Sequence, residues 1–532
     1  MAATDQQIFK SWMPEWGIRI IMFLVAFPSL GLFALSMANG SAAAGYYGIE
    51  PQDVQYSMIV FYAAVVSFYS FEVRLFRFIS IKNYLVLSTA LTIITSYICY
   101  STQNLVVLLI FRFIQGMGSC AATSICITLI FDRLKTERAR EIGYSVFYGI
   151  LLVISQMMTL VTAPLTDAFD YNTLYKVIIY AYLPGTILLY LILNNVRVNK
   201  RMPLYQLDWA SFLLYALAAL SLGYVLIYGQ QKYWFADSSI RFAAAGFVLL
   251  LIIYALRQIA LRRPYLSLHV FKYRNYCVGA LLLFALYMCR GSLNVTNTYL
   301  SVVLGLDQWN LGIIMLANVS GIIAGVIISS RLTIMKRPIR FTWMCGFMLL
   351  LIFHGWMTFL FAAQADQDDF IIPLIVHGMG AGMLMVPVIL FMISSVPPTL
   401  SQSASGVGVL VRFFSFCTSI ACINAYSDYS KNQHYNRSLN LLGTDNMILT
   451  QRLASYAAGL ESKGMAKDAA AKVSNALLAK NVSMQSQVRL SIEYYQWVCV
   501  FLLVVLILIA LYPYVKKTII DTHKSKPSAV GI

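Results

Sequence analysis

The chain has 532 residues, of which 59% are apolar and only 11% charged, with a formal net charge of +17 and a mean hydropathy of +0.71. A soluble chain would carry roughly 25% charged residues, so a cytosolic enzyme, a disordered protein and a collagen-like chain are excluded. Apolar runs of about 20 residues repeat end to end, which also excludes a β-barrel, whose strands alternate over about 10 residues.

The fold class predicted is an all-α polytopic membrane protein with about 14 spans. In chain order they fall near 20–38, 54–73, 84–101, 105–131, 142–165, 173–194, 208–229, 238–256, 276–303, 308–330, 341–362, 370–395, 403–425 and 492–515. The first run is long enough to span, so it is read as a helix and not as a signal peptide. With the N-terminus inside, the inward segments hold 25 of the 39 Lys and Arg, short outward loops only Lys232, and the long last outward segment eight. That is the positive-inside pattern, and with an even number of spans it puts both termini in the cytoplasm. One inward turn, around Val396-Pro397-Pro398-Thr399, carries no basic residue. The net charge therefore reports topology; no zinc finger or basic helix is present and no nucleic-acid partner is expected. All nine Cys lie inside apolar runs, so neither a disulfide framework nor a metal site is expected. The stretch 426–490 is the largest aqueous piece. Leu449…Ala458 and Met465…Ala479, punctuated by Gly464 and Asn481, predict two amphipathic helices on the outer face.

Polar groups inside a bilayer are costly unless a partner or water receives them, so they are the informative residues. The cations within the spans are Arg112, Lys176, Arg241, Arg290 and Arg412, with Lys176 and Arg241 close enough to helix ends to snorkel. The acids Glu72, Asp208 and Glu493 all lie at span edges, leaving the deep cations unmatched. Tyr287, Arg290, Asn294 and Asn297 are spaced by three, four and three residues, which places them on one helix face. Such a stripe reads as the wall of a water-filled substrate path or as a hydrogen-bonded seam between packed helices. Arg112, Gln115 and Ser119 form a shorter stripe. Tyr148, Ser155, Thr159 and Thr162 form a third, which reads as side chains bonded to their own helix backbone. His354 and His377 are intramembrane; each can carry a proton or be a neutral, bonded ring. Gly321-x3-Gly325 and Gly378-x3-Gly382 allow close helix approach, and the Tyr and Trp are read mostly as interfacial belts.

No His-Glu-x-x-His, Gly-x-Ser-x-Gly or Walker loop is present, and no cluster of acids faces a cavity. Neither an enzyme nor bound ATP is expected, and no cofactor.

Several stretches resemble the fourteen-span multidrug efflux branch of the major facilitator superfamily, the EmrB/QacA-like drug:proton antiporters. Arg112-Phe113-Ile114-Gln115-Gly116-Met117-Gly118 is similar to that superfamily's fourth-helix motif. Asp208-Trp209, with Gly229-Gln230…Trp234, resembles the branch's inserted helix pair, and Ser403-Ala404-Ser405-Gly406…Arg412 the start of its thirteenth helix. The resemblance implies a six-helix half (1–200), an inserted pair with linker (201–265) and a second half (266–532) that includes the outer segment 426–490. It also implies export of amphipathic compounds in exchange for protons across a cytoplasmic (inner) membrane. Docking of a periplasmic adaptor and an outer-membrane channel to 426–490 is implied as well, and gating or structural roles for Gln115, Gly116, Gly118 and Asp208. Three features depart from the family pattern. The turn Arg74-Leu75-Phe76-Arg77-Phe78-Ile79-Ser80-Ile81-Lys82 lacks the usual Gly and Asp, the fifth span lacks the Gly-Pro antiporter signature, and the first span has no acid. His354, His377 and Glu72 are the remaining proton-coupling candidates.

The reading adopted is an exporter working by alternating access in the lipid bilayer. Arg290, Arg112 and Arg412, with Tyr287, Asn294 and Asn297, would bind an amphipathic and, from the excess of cations, anionic small molecule. The alternatives are an uncoupled facilitator or importer of the same fold and, from another class, a non-transporting scaffold or receptor.

Overall fold

The computed structural model describes residues 8–75, 79–132, 139–196, 207–261, 263–335, 337–441 and 446–512. Arg77 with its neighbours 76 and 78, the basic stretches 133–138 and 197–206, and residues 513–532 lie outside the described residues. Among the described residues there are seventeen α-helices and no strand, and Phe9 and Leu193 form an isolated bridge. Hydrocarbon offers no partner for backbone N–H and C=O groups, so each apolar run closes its own hydrogen bonds as a helix. Fourteen helical segments are long and apolar enough to cross a membrane, the number predicted, and the chain is a multi-pass membrane protein.

The first group comprises α1 (Glu15–Ala38), the short α2 (Gly40–Tyr47), α3 (Pro51–Leu75), α4 (Ile81–Ser101), α5 (Leu105–Asp132), α6 (Ala139–Ala168) and α7 (Thr173–Ile192). The pair α8 (Trp209–Tyr228) and α9 (Ser238–Ala260) follows. Asp208 caps α8 by accepting from the Ser211 N–H at 3.1 Å, and the same oxygen meets Arg257 of α9 at 2.9 Å. This one carboxylate both starts the helix and ties the pair together. Helix α8 packs on α3, whereas α9 leans on α8 and buries only Ile240, Tyr254 and Gln258.

The second group comprises α10 (Arg274–Gly291), α11 (Leu293–Val302), α12 (Gln308–Ile334), α13 (Ile339–Leu360), α14 (Ile371–Ser394), α15 (Ser401–Leu441), α16 (Met447–Glu461) and α17 (Lys467–Leu511). Buried side chains gather into two clusters, one drawn mostly from residues before 267 and the other mostly from residues after 269. The groups meet where α6 packs on α12 and α3 on α15.

Two local expectations need correction. The span predicted at 276–303 is not one continuous helix: it breaks at Ser292 into α10 and α11. Gly291-Ser292 is a Gly/Ser pair, a recognised site of helix kinking. The second outer amphipathic helix is also not separate, because residues 467–479 are the first turns of the 45-residue α17. Its sequence has no Gly or Pro, and Asn481 alone costs a helix only about 0.7 kcal/mol. At 41 and 45 residues, α15 and α17 are each about 60 Å long or more, twice the hydrocarbon thickness. They project beyond the spans as a helical pair, with α16 against α17. Near the base of the projection, Tyr426 and Ser430 donate to Glu493 at 3.0 and 3.2 Å, and His434 lies 3.0 Å from the same carboxylate.

The tightest seam is between α12 and α14. Gly321 and Gly325 face the backbone carbonyls of Ile375 and Met379, and Gly378 and Gly382 face those of Asn318 and Ile322, so a methyl at any of them would overlap the neighbouring helix. The small-x3-small spacing thus serves reciprocal backbone contact. Gly378→Ala is expected to lower the unfolding temperature of the purified protein, by the overpacking cost of about 1–3 kcal/mol. Gly355→Ala, with nothing within 4 Å of the added methyl, is expected to leave it unchanged or raised.

Candidate functional site

A cavity of about 190 Å³ lies between the two groups of helices. From the second group, Tyr287 and Arg290 on α10, Asn294 on α11 and Arg412 on α15 line it. The facing wall includes Tyr62 and Tyr69 of α3, Ser119, Cys120, Thr123 and Ser124 of α5, and Tyr148 and Ser155 of α6. Its two charged residues are both cations: no Asp or Glu is in the lining. Each guanidinium lies over a tyrosine ring, Arg290 at 5.5 Å from the Tyr287 centroid and Arg412 at 5.2 Å from Tyr148. Tyrosine faces offer a cation partial compensation and leave its N–H groups available to an anion. The hydroxyls of Tyr69, Thr123 and Ser419 also line the cavity and have no hydrogen-bond partner in the protein.

An aromatic group completes the wall. Phe33 and Tyr62 meet edge-on at 5.2 Å, and Phe416 lies 5.7 Å from Phe33 and 5.8 Å from Tyr62. These rings come from α1, α3 and α15, so no spacing within one span signals them. Reading the tyrosines mainly as interfacial belts therefore misses the interior: Tyr175, Tyr182, Tyr276, Tyr299 and Tyr495 are fully buried as well.

Of the residues singled out from the sequence, Tyr287, Arg290, Asn294 and Arg412 are together on the cavity. Asn297 is not in the lining, because the break at Ser292 interrupts the expected stripe; its Oδ1 is buried without a partner. Arg112 is not there either. Its guanidinium is fully buried, donating to Leu32 O at 3.3 Å, to Gln115 Oε1 at 2.9 Å and to the Ser36 hydroxyl. Gln115 in turn donates to Ser96 at 2.8 Å. Gly116 abuts the Phe61 carbonyl and Gly118 the Thr92 hydroxyl. The Arg-x2-Gln-Gly-x-Gly run is thus a packing hub that ties α5 to α1, α3 and α4.

Glu72 is buried rather than at an exposed edge. It accepts from Ser124 Oγ at 2.8 Å, and Cys120 Sγ lies at 3.7 Å; both partners line the cavity, so the carboxylate sits one residue behind the wall. The two histidines lie inside the second group, off the cavity lining. His354 Nδ1 is 2.7 Å from Leu350 O and Nε2 is 2.8 Å from Ser292 Oγ. A carbonyl only accepts, so Nδ1 carries the hydrogen; the Ser292 hydroxyl, whose single hydrogen is donated to Cys289 O at 2.6 Å, also contacts Nε2. His377 Nδ1 lies 2.8 Å from the Asn318 amide nitrogen, and the two rings are 6.4 Å apart. On α6, Thr159 and Thr162 donate to Ser155 O and Met158 O, as expected of side chains bonded to their own helix.

The two groups touch at both ends of the cavity. At one end Gln308 donates to Ala38 O at 3.2 Å and to Asn39, Thr166 donates back to Gln308 at 3.2 Å, and Asn424 donates to Gln55 at 2.7 Å. At the other end the segment after α9 bridges them. Tyr265 donates to Ser67 O at 2.5 Å, Arg74 to Pro264 O at 2.8 Å, and the Ser267 N–H to Ser403 at 3.1 Å. These are few, mostly neutral hydrogen bonds, each contributing about 1 kcal/mol net, and they add to the packing of α6 on α12 and of α3 on α15.

Fourteen spans arranged as two packed groups around a central, mostly apolar cavity with two cations in its wall define a membrane transport protein, not an enzyme. The chain belongs to the major facilitator superfamily, whose family model matches residues 21–419. The colistin resistance protein EmrB of Acinetobacter baumannii is 24% identical over 392 residues, which cover 73% of this chain and 75% of that protein. The MFS-type transporter EfpA of Mycobacterium tuberculosis is 25% identical over 325 residues, 59% of this chain and 58% of that one. A crystal structure of a POT family transporter in complex with a thioalcohol-conjugated peptide shares the fold, with a TM-score of 0.59 at 14% identity over 94% of this chain and 96% of the other.

The placements separate two kinds of buried arginine. Arg112→Leu, which orphans several buried acceptors at about 1–3 kcal/mol each, is expected to lower the unfolding temperature markedly. Arg290→Leu, which replaces a cavity cation with an apolar group, is expected to leave it unchanged or raise it. Thermal unfolding of the two purified variants side by side checks this.

Proposed function

We propose that the protein exports amphipathic, anionic small molecules from the cytoplasm by alternating access, in exchange for protons. The observation that carries this reading is the cavity wall itself: Arg290 and Arg412 amid aromatic side chains, with no acidic side chain in the lining. An anionic head group replaces the water that a guanidinium needs, and the apolar body fills the space between Phe33, Tyr62 and Phe416. Asn294 and Tyr287 add neutral hydrogen-bonding groups on the same side. The direction is supported by the resistance named in the EmrB relative, since resistance follows from expulsion.

Among the coupling candidates Glu72 is favoured over His354 and His377, because its two partners are cavity residues while the histidines are enclosed elsewhere. A proton reaching Glu72 through Ser124 would change the charge behind the wall and so bias which end of the cavity opens. The setting proposed is the inner membrane with both termini cytoplasmic. The projection of α15, α16 and α17, residues 426–490, is then the surface for a periplasmic adaptor and an outer-membrane channel.

Reconstitution into proteoliposomes with an imposed pH gradient and a panel of anionic and cationic amphiphiles tests the reading. Gradient-driven movement of anions is expected, reduced at least tenfold in Arg290→Ala. Glu72→Gln is expected to retain anion binding and lose the response to the gradient. Movement of cations alone, indifferent to Arg290→Ala, refutes the anion assignment, and anion transport indifferent to the gradient indicates the uncoupled facilitator.

A further inference from the structure

A second, much smaller compartment lies behind Arg412, between α6, α10, α14 and α15. It has room for about 20 Å³, which exceeds the roughly 10–15 Å³ that one water-sized particle requires and is too little for an organic molecule. Its walls are apolar on one side, from Leu283, Ile389 and Met392, and polar on the other, from Tyr148, Ser405 and Arg412. Ser405 is 6% exposed and its hydroxyl has no hydrogen-bond partner among the described residues. Arg412 is 9% exposed and makes no ion pair with any described residue; its Nε donates a long bond, 3.4 Å, to Gly408 O, and its guanidinium also hydrogen-bonds the Tyr148 hydroxyl. Arg412 and Tyr148 line both this compartment and the main cavity, whereas Arg290 lines only the main cavity.

We infer that this compartment is a binding site for a single monatomic anion of the size of chloride, held by Arg412 with the hydroxyls of Ser405 and Tyr148 as further donors. A buried cation without a counter-charge is costly, and the Ser405 hydroxyl, with no partner among the described residues, adds to that cost. A halide supplies the charge and accepts from all three donors at once. Water accepts only two hydrogen bonds and brings no charge. The bound ion would offset part of the Arg412 charge from behind, while Arg412 and Arg290 both still line the main cavity. The site does not depend on what is transported, because it forms in the resting protein.

The test uses the purified full chain. Unfolding temperature is measured while sodium chloride replaces sodium gluconate at constant ionic strength. A saturable rise is expected with chloride, and with bromide, but not with the bulky gluconate. Ser405→Ala is expected to raise the chloride concentration at half-effect at least threefold. Gly408→Val is the decisive variant: a side chain there extends into the compartment, where the nearest atom to the added Cβ is Met392 Cε at 3.9 Å, and Arg412 stays in place. The chloride response is expected to vanish in it. Equal unfolding temperatures in the two salts overturn the proposal in favour of water alone. A chloride response undiminished in Gly408→Val also overturns it, placing the ion in the main cavity or on the surface.

Discussion

The structure depends on how a low-dielectric interior treats cations. Three guanidiniums lie deep in the bundle, and the protein gives them two solutions. Arg112 is surrounded by acceptors from its own half and is fully enclosed. Arg290 and Arg412 instead rest on tyrosine faces at the edge of a cavity and keep donors directed to it. The first solution spends both terminal nitrogens on the fold, leaving only Nε without a partner among the described residues, and makes a rigid joint. The second leaves charge to be completed by whatever enters, which is the basis of the recognition proposed above.

Rigid joints matter because transport requires that some contacts break and others never do. The backbone-to-backbone approach of α12 and α14 and the hub around Arg112 belong to the permanent set. The hydrogen bonds at Gln308 and at Tyr265 bridge the groups at opposite ends of the cavity and belong to the breakable set. Permanent contacts here are dense, with many groups satisfied at once, whereas the breakable ones are sparse. Packed cores respond to stress by moving as units, so the sparse contacts give way first.

Much of this was legible in the sequence, for definable reasons. The count of spans follows from the length of each apolar run, because the bilayer sets that length independently of tertiary structure. Arg290, Tyr287 and Asn294 could be placed together because helical spacing is a local rule. Arg412 could be singled out because a deep cation with no neighbouring acid is unusual. What could not be read depends on partners far apart in the chain. Enclosure of Arg112 needs Leu32 and Ser36, and the aromatic wall needs Phe33 beside Phe416. The exclusion of Asn297 turns on a break whose signal, Gly291-Ser292, was present but not decisive in an otherwise apolar run. The continuity of α17 was likewise written in the lack of Gly and Pro over its whole length.

Helix α15 carries Arg412 and Phe416 in the cavity and runs unbroken to Leu441. It is therefore a lever whose short arm is at the cargo and whose long arm is outside the bilayer. At 1.5 Å per residue the distance from Arg412 to Leu441 is about 44 Å, so a tilt of about ten degrees at the cargo sweeps the tip through about 7–8 Å. Whatever rests against that tip feels the occupancy of the cavity as a mechanical displacement, with no need for a flexible relay between them.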